Sequence, residues 1–193
     1  GSVCVEYYTC DKEPELLPFR GLRLVIWTPV TRTNRPEHWI QTFKKSTRQV
    51  SAYIDIRNID EYYKTWSKIF RNYYYHFAKQ NEYVIESISC DEFCSAYSEY
   101  GKDNATRSIC LPQLQNLNKA SKQMAHFYVL KNTVDNQIVA GIAIADCPTV
   151  SQSYYVAAFT RKIIAPKEAG LWLLQYWMKE SSKRGITYAN FGA

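Results

Sequence analysis

The stretch that most constrains how this chain can fold runs from Gln152 to Ala193. It reads as a strand (Ser153 to Thr160), a loop bearing Lys162, Pro166 and Lys167, a helix opened by Gly170, and a closing strand from Ile186 to Phe191. Gly170, Leu171, Leu174, Trp177, Met178 and Ser181 recur at helical spacing, Lys179, Glu180, Lys183 and Arg184 take the other side, and Gly185 supplies the stop. Strand, helix and strand in that order predict a parallel pair, because parallel neighbours need such a crossover. The helix N-terminus then faces a loop, the place where open α/β sheets hold anionic groups on free backbone N–H donors. Lys167 and Gly170 are the anion-binding candidates there.

With 193 residues the chain buries a full core, as one domain or one domain and part of a second. Sixteen Tyr and five Trp make it unusually aromatic, and the net charge of +6 favours anionic partners. No run approaches the roughly 18 apolar residues of a membrane span, and no leader pattern is visible. The cysteines at 4, 10, 90, 94, 110 and 147 contain no C-x-x-C pair and are expected to be reduced, structural and cytoplasmic. A metal held by Cys90, Cys94 and His126 is the alternative weighed for them, and no metal is expected.

Along the chain, Val3 to Thr9 and Leu22 to Val30 read as strands forming a hairpin, Pro36 to Gln49 as a helix, and Ala52 to Ile56 as a strand. A long helix is expected from Asp60 to about Lys79, then a strand from Tyr83 to Ile88, helices over 91–100 and 111–122, and a polar, mobile loop over 101–107. Phe127 to Lys131 and Ile138 to Ala145 pair across a turn carrying Asp135 and Asn136. Residues 1–57 thus spell ββαβ, and residues 83–193 spell β-α-α-β-β-β-α-β.

That order resembles a GNAT acyltransferase, and the repeat of its end in residues 1–57 resembles the Fem-type aminoacyltransferases, which carry two GNAT-like halves and build peptidoglycan cross-bridges. "LVIWTPV" at 24–30 is similar to the family's strand ending in Gly-Pro-Val, "AYIDIR" at 52–57 to its Asp-bearing strand, and "TWSKIFRNYYYHFAKQN" at 65–81 to the helix opening its second half. "RGITYANFGA" resembles the Gly-x-x-x-Tyr-Asp-Phe-Gly-Gly element that closes the second sheet. Thr28, Asn190 and Ala193 depart from these patterns. The resemblance implies an α/β fold with a GNAT-like mixed sheet flanked by helices. It implies a partial N-terminal half over 1–57, and a GNAT-like domain over 58–193 that stops before the family's last helix and hairpin. The parallel strands should diverge at one end.

The activity implied is acyl or aminoacyl transfer to an amine; the alternatives are a diverged binding module that keeps the cleft and an acetyl-CoA-dependent N-acetyltransferase. The donor implied is aminoacyl-tRNA, with no bound cofactor. Acetyl-CoA is expected to bind poorly, because Trp172 and Glu168 occupy the positions where small residues let backbone N–H groups approach pyrophosphate. Tyr155 and Asn190, on the two diverging strands, are the catalytic candidates, beside a backbone N–H for the oxyanion. On the long helix, Tyr62, Trp66, Ile69, Phe70, Tyr73 and Phe77 form an apolar stripe. Lys64, Lys68, Arg71, Tyr75 and Lys79 form the opposite, basic face. Lys68 and Arg71 are taken as contacts for a tRNA or nucleotide-linked precursor, with DNA not expected; a solvated face is the plain alternative.

Overall fold

The computed structural model of the chain describes residues 2–8, 22–28, 52–100, 111–120 and 124–191. The chain divides into two compact units, residues 1–49 and 50–193. In the first, β1 (Ser2–Tyr8) and β2 (Leu22–Thr28) pair in parallel, Val3 opposite Arg23 and Tyr7 opposite Trp27. The hairpin expected here is therefore corrected. The segment 9–21 has the dozen or so residues that a parallel connection needs, far more than a tight turn. The expected helix at 36–49 and the loop at 101–107 lie outside the described residues.

The second unit is built on a six-stranded sheet in the order β3-β8-β7-β6-β5-β4. Its strands are β3 (Tyr53–Asp55), β4 (Tyr83–Ser87), β5 (Ala125–Asn132), β6 (Ile138–Cys147), β7 (Gln152–Thr160) and β8 (Tyr188–Asn190). Only β7 and β8 are parallel, and β3, which sequence groups with residues 1–57, pairs antiparallel with β8. The β5–β6 turn works as its residues suggest: Asn136 takes the left-handed conformation (φ 61°), and the Asn132 and Asp135 side chains accept from the N–H groups of Val134 and Gln137.

The pleat divides the core into two faces. Tyr128, Leu130, Ile142 and Ile144 point to one, against Trp172, Leu173, Trp177 and Met178 of helix α5 (Ala169–Lys183). Phe127, Val129, Ala143 and Phe159 point to the other, against Phe93, Cys94 and Tyr97 of α3 (Cys90–Tyr100) and Leu114 of α4 (Leu111–Ala120). A capping box starts α3: the Ser89 N–H donates to Glu92 Oε2 at 2.9 Å, and the Glu92 N–H to Ser89 Oγ at 3.2 Å. At the end of α5, Gly185 (φ +85°) permits a Schellman turn, with the Ile186 N–H on Ser181 O and the Gly185 N–H on Ser182 O. The chain thereby turns sharply into β8.

The single helix expected over 60–79 is corrected to two. α1 (Ile59–Tyr62) passes through a 3-10 turn at Tyr63–Thr65, breaks at Trp66 and Ser67, and resumes as α2 (Lys68–Lys79). Trp66 and Ser67 both have extended backbone (ψ 154°), and the Arg71 guanidinium brackets the break by donating to Lys64 O and Trp66 O at 2.8 and 2.9 Å. The stripe also differs from expectation: Phe77 packs on Trp172 at 4.7 Å between ring centroids, but Ile69 and Phe70 are exposed.

Candidate functional site

The pairing of β7 with β8 covers only Gln152 to Tyr154, while β6 accompanies β7 as far as Thr160. From Tyr155 onward, no described strand lies on the β8 side of β7. A bulge marks the same place. Ala143 pairs with Ala157 and Ile144 with Tyr155, so Val156 is an extra residue, and Val156 and Ala157 both turn to the α3 face. Trp177 joins the parting strands: its ring packs on Tyr155 and on Phe191, and its Nε1–H donates to Ser153 Oγ at 2.6 Å.

Beside the part of β7 that β8 does not accompany opens a cleft of about 220 Å³, lined by Gly141, Ile142, Tyr155, Ala158, Phe159, Thr160, Gly170, Leu173 and Leu174. The first turn of α5 forms one wall, so the N–H groups that no helical carbonyl can reach lie beside it. Gly141 is required by packing: a Cβ there would stand 2.4 Å from Phe159 Cε1 and 3.1 Å from Phe93 Cε2. At Gly170, a Cβ would meet nothing within 4 Å.

The residues expected from sequence separate here. Tyr155 and Gly170 line the cleft, and Lys167 is exposed on the loop that enters α5. Asn190 lies elsewhere, buried in the β7–β8 ladder with its Nδ2 donating to Gln152 Oε1 at 3.1 Å. Lys68 is exposed on α2, whereas Arg71 is engaged by the helix break. Lys64 is paired with Glu61. The obstruction assigned to Trp172 is corrected. Its indole is buried in the core against Phe77 and Tyr83, and its Nε1–H donates to Tyr73 O at 3.0 Å. The cleft-lining Leu173, Thr160 and Ile142 were not singled out in the sequence, since each is an ordinary apolar or small residue whose role depends on where the strands part.

Cys90 and Cys94 sit on the α3 face with Sγ atoms 3.9 Å apart, and burial pushes the Cys94 thiol up to about 11, with Cys90 adding to the shift. His126, on β5, stacks with Tyr128, which faces α5, so the three do not converge.

At the far end of α5 lies a polar network. Arg184 donates to Asp146 Oδ2 at 2.6 Å, to Tyr128 OH at 3.0 Å and to Ser181 Oγ at 3.0 Å, and Ser181 Oγ lies 3.1 Å from Ser153 Oγ. His126 Nε2 stands 3.3 Å from Asp146 Oδ2. Burial alone would raise the Asp146 carboxyl, but the His126, Arg184 and Ser153 side chains beside it outweigh that and hold it down to about 2. The network ties α5 to β5, β6 and β7 and thereby fixes where its other end points.

No family model matches the sequence, and no curated protein matches it. Solved structures do. FemX superimposes with a TM-score of 0.64 at 12% identity, over 74% of this chain and 52% of its own. The L-PGS of Bacillus licheniformis gives 0.54 at 20% identity, over 75% and 44%. The C-terminal domain of a lysylphosphatidylglycerol synthetase from Agrobacterium fabrum gives 0.53 at 14% identity, over 75% and 46%. The chain thus spans about half the length of the structures it matches. The likeness is one of fold: a mixed six-stranded sheet flanked by helices, of the GNAT-like, Fem-type kind.

Proposed function

We propose that this protein transfers an acyl or aminoacyl group to an amine in the cleft beside β7. The observation that carries the reading is the departure of β8 from β7 after Tyr154, together with the bulge at Val156. The edge that β7 presents there borders a cleft whose lining includes Tyr155. An amine attacking an acyl ester needs a donor for the developing oxyanion and a route for its proton. The β7 edge offers the first, and Tyr155 is the candidate for the second. In the overall reaction the C–N bond forms, the ester C–O bond (the thioester C–S bond with acetyl-CoA) breaks, and the alcohol or thiol leaves carrying the proton that the amine gives up. Lys167 and the first-turn N–H groups at Gly170 are suited to an anionic part of the donor.

With Trp172 turned into the core, Glu168 at the start of α5 is what remains against acetyl-CoA, which stands as a second donor behind aminoacyl-tRNA. The binding-module reading is favoured by the lining itself, which among the described residues contains no carboxylate, imidazole or thiol. A transfer assay with labelled aminoacyl-tRNA and labelled acetyl-CoA, against small and peptidoglycan-precursor amines, separates the readings. Turnover that falls at least about tenfold in Tyr155→Phe supports catalysis. Ligand binding without turnover for either donor supports the module.

A further inference from the structure

The cleft beside β7 is graded in polarity. Its most deeply buried aliphatic side chains are Ile142 and Leu173, 1% and 2% exposed, and Ala158 and Leu174 are half-buried beside them. Gly170 is exposed, and Tyr155 and Thr160 supply the hydroxyl groups of the lining. No charged side chain lines it among the described residues. The charges that come near in sequence are occupied or lie outside. Arg161, next to Thr160, donates to Gln137 Oε1 and Ile138 O and lies 4.1 Å over the Tyr100 ring. Lys167 is exposed and Glu168 half-buried at the entry to α5, and neither belongs to the lining. An ammonium or carboxylate placed among these side chains would lose its water without gaining a partner, whereas a hydrocarbon chain gains from burial. Size sets a second limit. At roughly 30 Å³ for a water-sized group, the cleft of about 220 Å³ holds about seven non-hydrogen atoms, of which a reacting carbonyl, its α-carbon and an amino nitrogen use about four. The space left suits an aliphatic side chain of valine or leucine size, and a lone methyl group would leave much of it empty.

We propose that the cleft selects an uncharged, branched aliphatic acyl group, with its hydrocarbon end against Ile142 and Leu173 and its carrier at Gly170. This rests on the reading of the cleft as the acyl site. It narrows the acyl group rather than the carrier, because a leucyl ester and a branched short-chain thioester present the same hydrocarbon end. Ala158 and Leu174 are the specificity-determining side chains, since they line the cleft from β7 and from α5 and are only half-buried.

The test reads binding rather than turnover. The full chain is titrated calorimetrically with stable amide analogues of aminoacylated adenosine carrying leucine, alanine, lysine or glutamate, and in a second arm with isovaleryl-, acetyl- and succinyl-CoA. The leucyl analogue should bind at least about tenfold more tightly than the alanyl one, since each buried methylene is worth about fourfold. The lysyl and glutamyl analogues should bind at least about tenfold more weakly than the leucyl one. If the carrier is a thioester, isovaleryl should lead acetyl and succinyl in the same way, and the arm that binds identifies the carrier. Ala158→Leu should remove most of the preference for leucyl over alanyl, and Leu174→Glu should bring lysyl above glutamyl; far-UV circular dichroism checks that both variants fold. The order of ligands on the unsubstituted chain decides the question even if a variant does not. No binding in either arm, alanyl or charged ligands that match leucyl while acetyl or succinyl matches isovaleryl, or a folded Ala158→Leu protein with the parent's preference overturns the proposal. Transfer without this order of binding strikes the inference alone, and this order without transfer strikes the reaction alone.

Discussion

At the residue scale, two glycines with opposite surroundings make the sharpest predictions. Gly141 lies under the Phe159 ring, which is itself packed by Phe93, Tyr97 and Tyr100. Gly141→Ala should cost about 1–3 kcal/mol, seen as a lower denaturation midpoint at unchanged m-value. Gly170 stands in open space within a helix, so Gly170→Ala should leave stability unchanged or raise it by about 0.4–1 kcal/mol. If an anionic ligand approaches the backbone there, the same methyl group should weaken its binding; calorimetric titration giving equal affinity for both proteins would remove the anion seat from this turn. Trp172 makes the related point that a residue's position in a motif register does not say which way its side chain faces. The indole reads as an obstacle at a loop, yet it is one of the largest buried side chains of the core.

At the scale of elements, the break between α1 and α2 changes what the basic face can do. Arg71 supplies donors to carbonyls that the interrupted helix leaves without partners, so Arg71→Ala should cost about 1 kcal/mol. Lys68→Ala should leave stability within about half a kcal/mol. If Lys68 contacts a phosphate, Lys68→Ala should flatten the salt dependence of tRNA binding by nearly one unit of slope; an unchanged slope leaves a solvated face. At the other end of α5, Asp146 gives a pH prediction. Its carboxyl is held at about 2, below its ordinary value of 3.8. Its contribution is therefore complete above about pH 4 and is lost as pH falls through about 2. The shift corresponds to about 2 kcal/mol. Asp146→Asn should be less stable at neutral pH, because Arg184 loses its partner, and the difference between the two proteins should shrink by about that amount across this window. A constant difference in urea midpoints from neutral pH to pH 2 would show that the network does not hold the carboxylate as described.

At the scale of the whole molecule, the six-stranded sheet between two helical layers should open from its edges. Among the described strands β3 and β4 each have one neighbour, whereas β5 and β6 have neighbours on both sides and are mostly buried. Native-state hydrogen exchange should be slowest in β6 and faster in β3 and β4; uniform protection across the six strands would contradict this order. Much of this sheet was legible in the chain. Apolar runs of strand length mark β5 to β7, Asp135 and Asn136 mark a turn, and Gly185 marks the end of a helix. These are local signals, written in side-chain period and backbone freedom. The strand-helix-strand order also determined that β7 and β8 run parallel, because the crossover leaves no other arrangement of neighbours.

Tertiary structure decided the rest. Whether β1 and β2 pair as a hairpin or in parallel depends on a connection that has no period of its own. The facing of Trp172, the burial of Asn190 and the engagement of Arg71 depend on partners far away or beyond a break that helical spacing cannot report. The cleft has the same origin. Its lining residues are ordinary in sequence, and they become a site because β8 ends at Asn190 while β7 continues to Thr160. The end of a pairing is a property of two strands in space, not of either strand's composition.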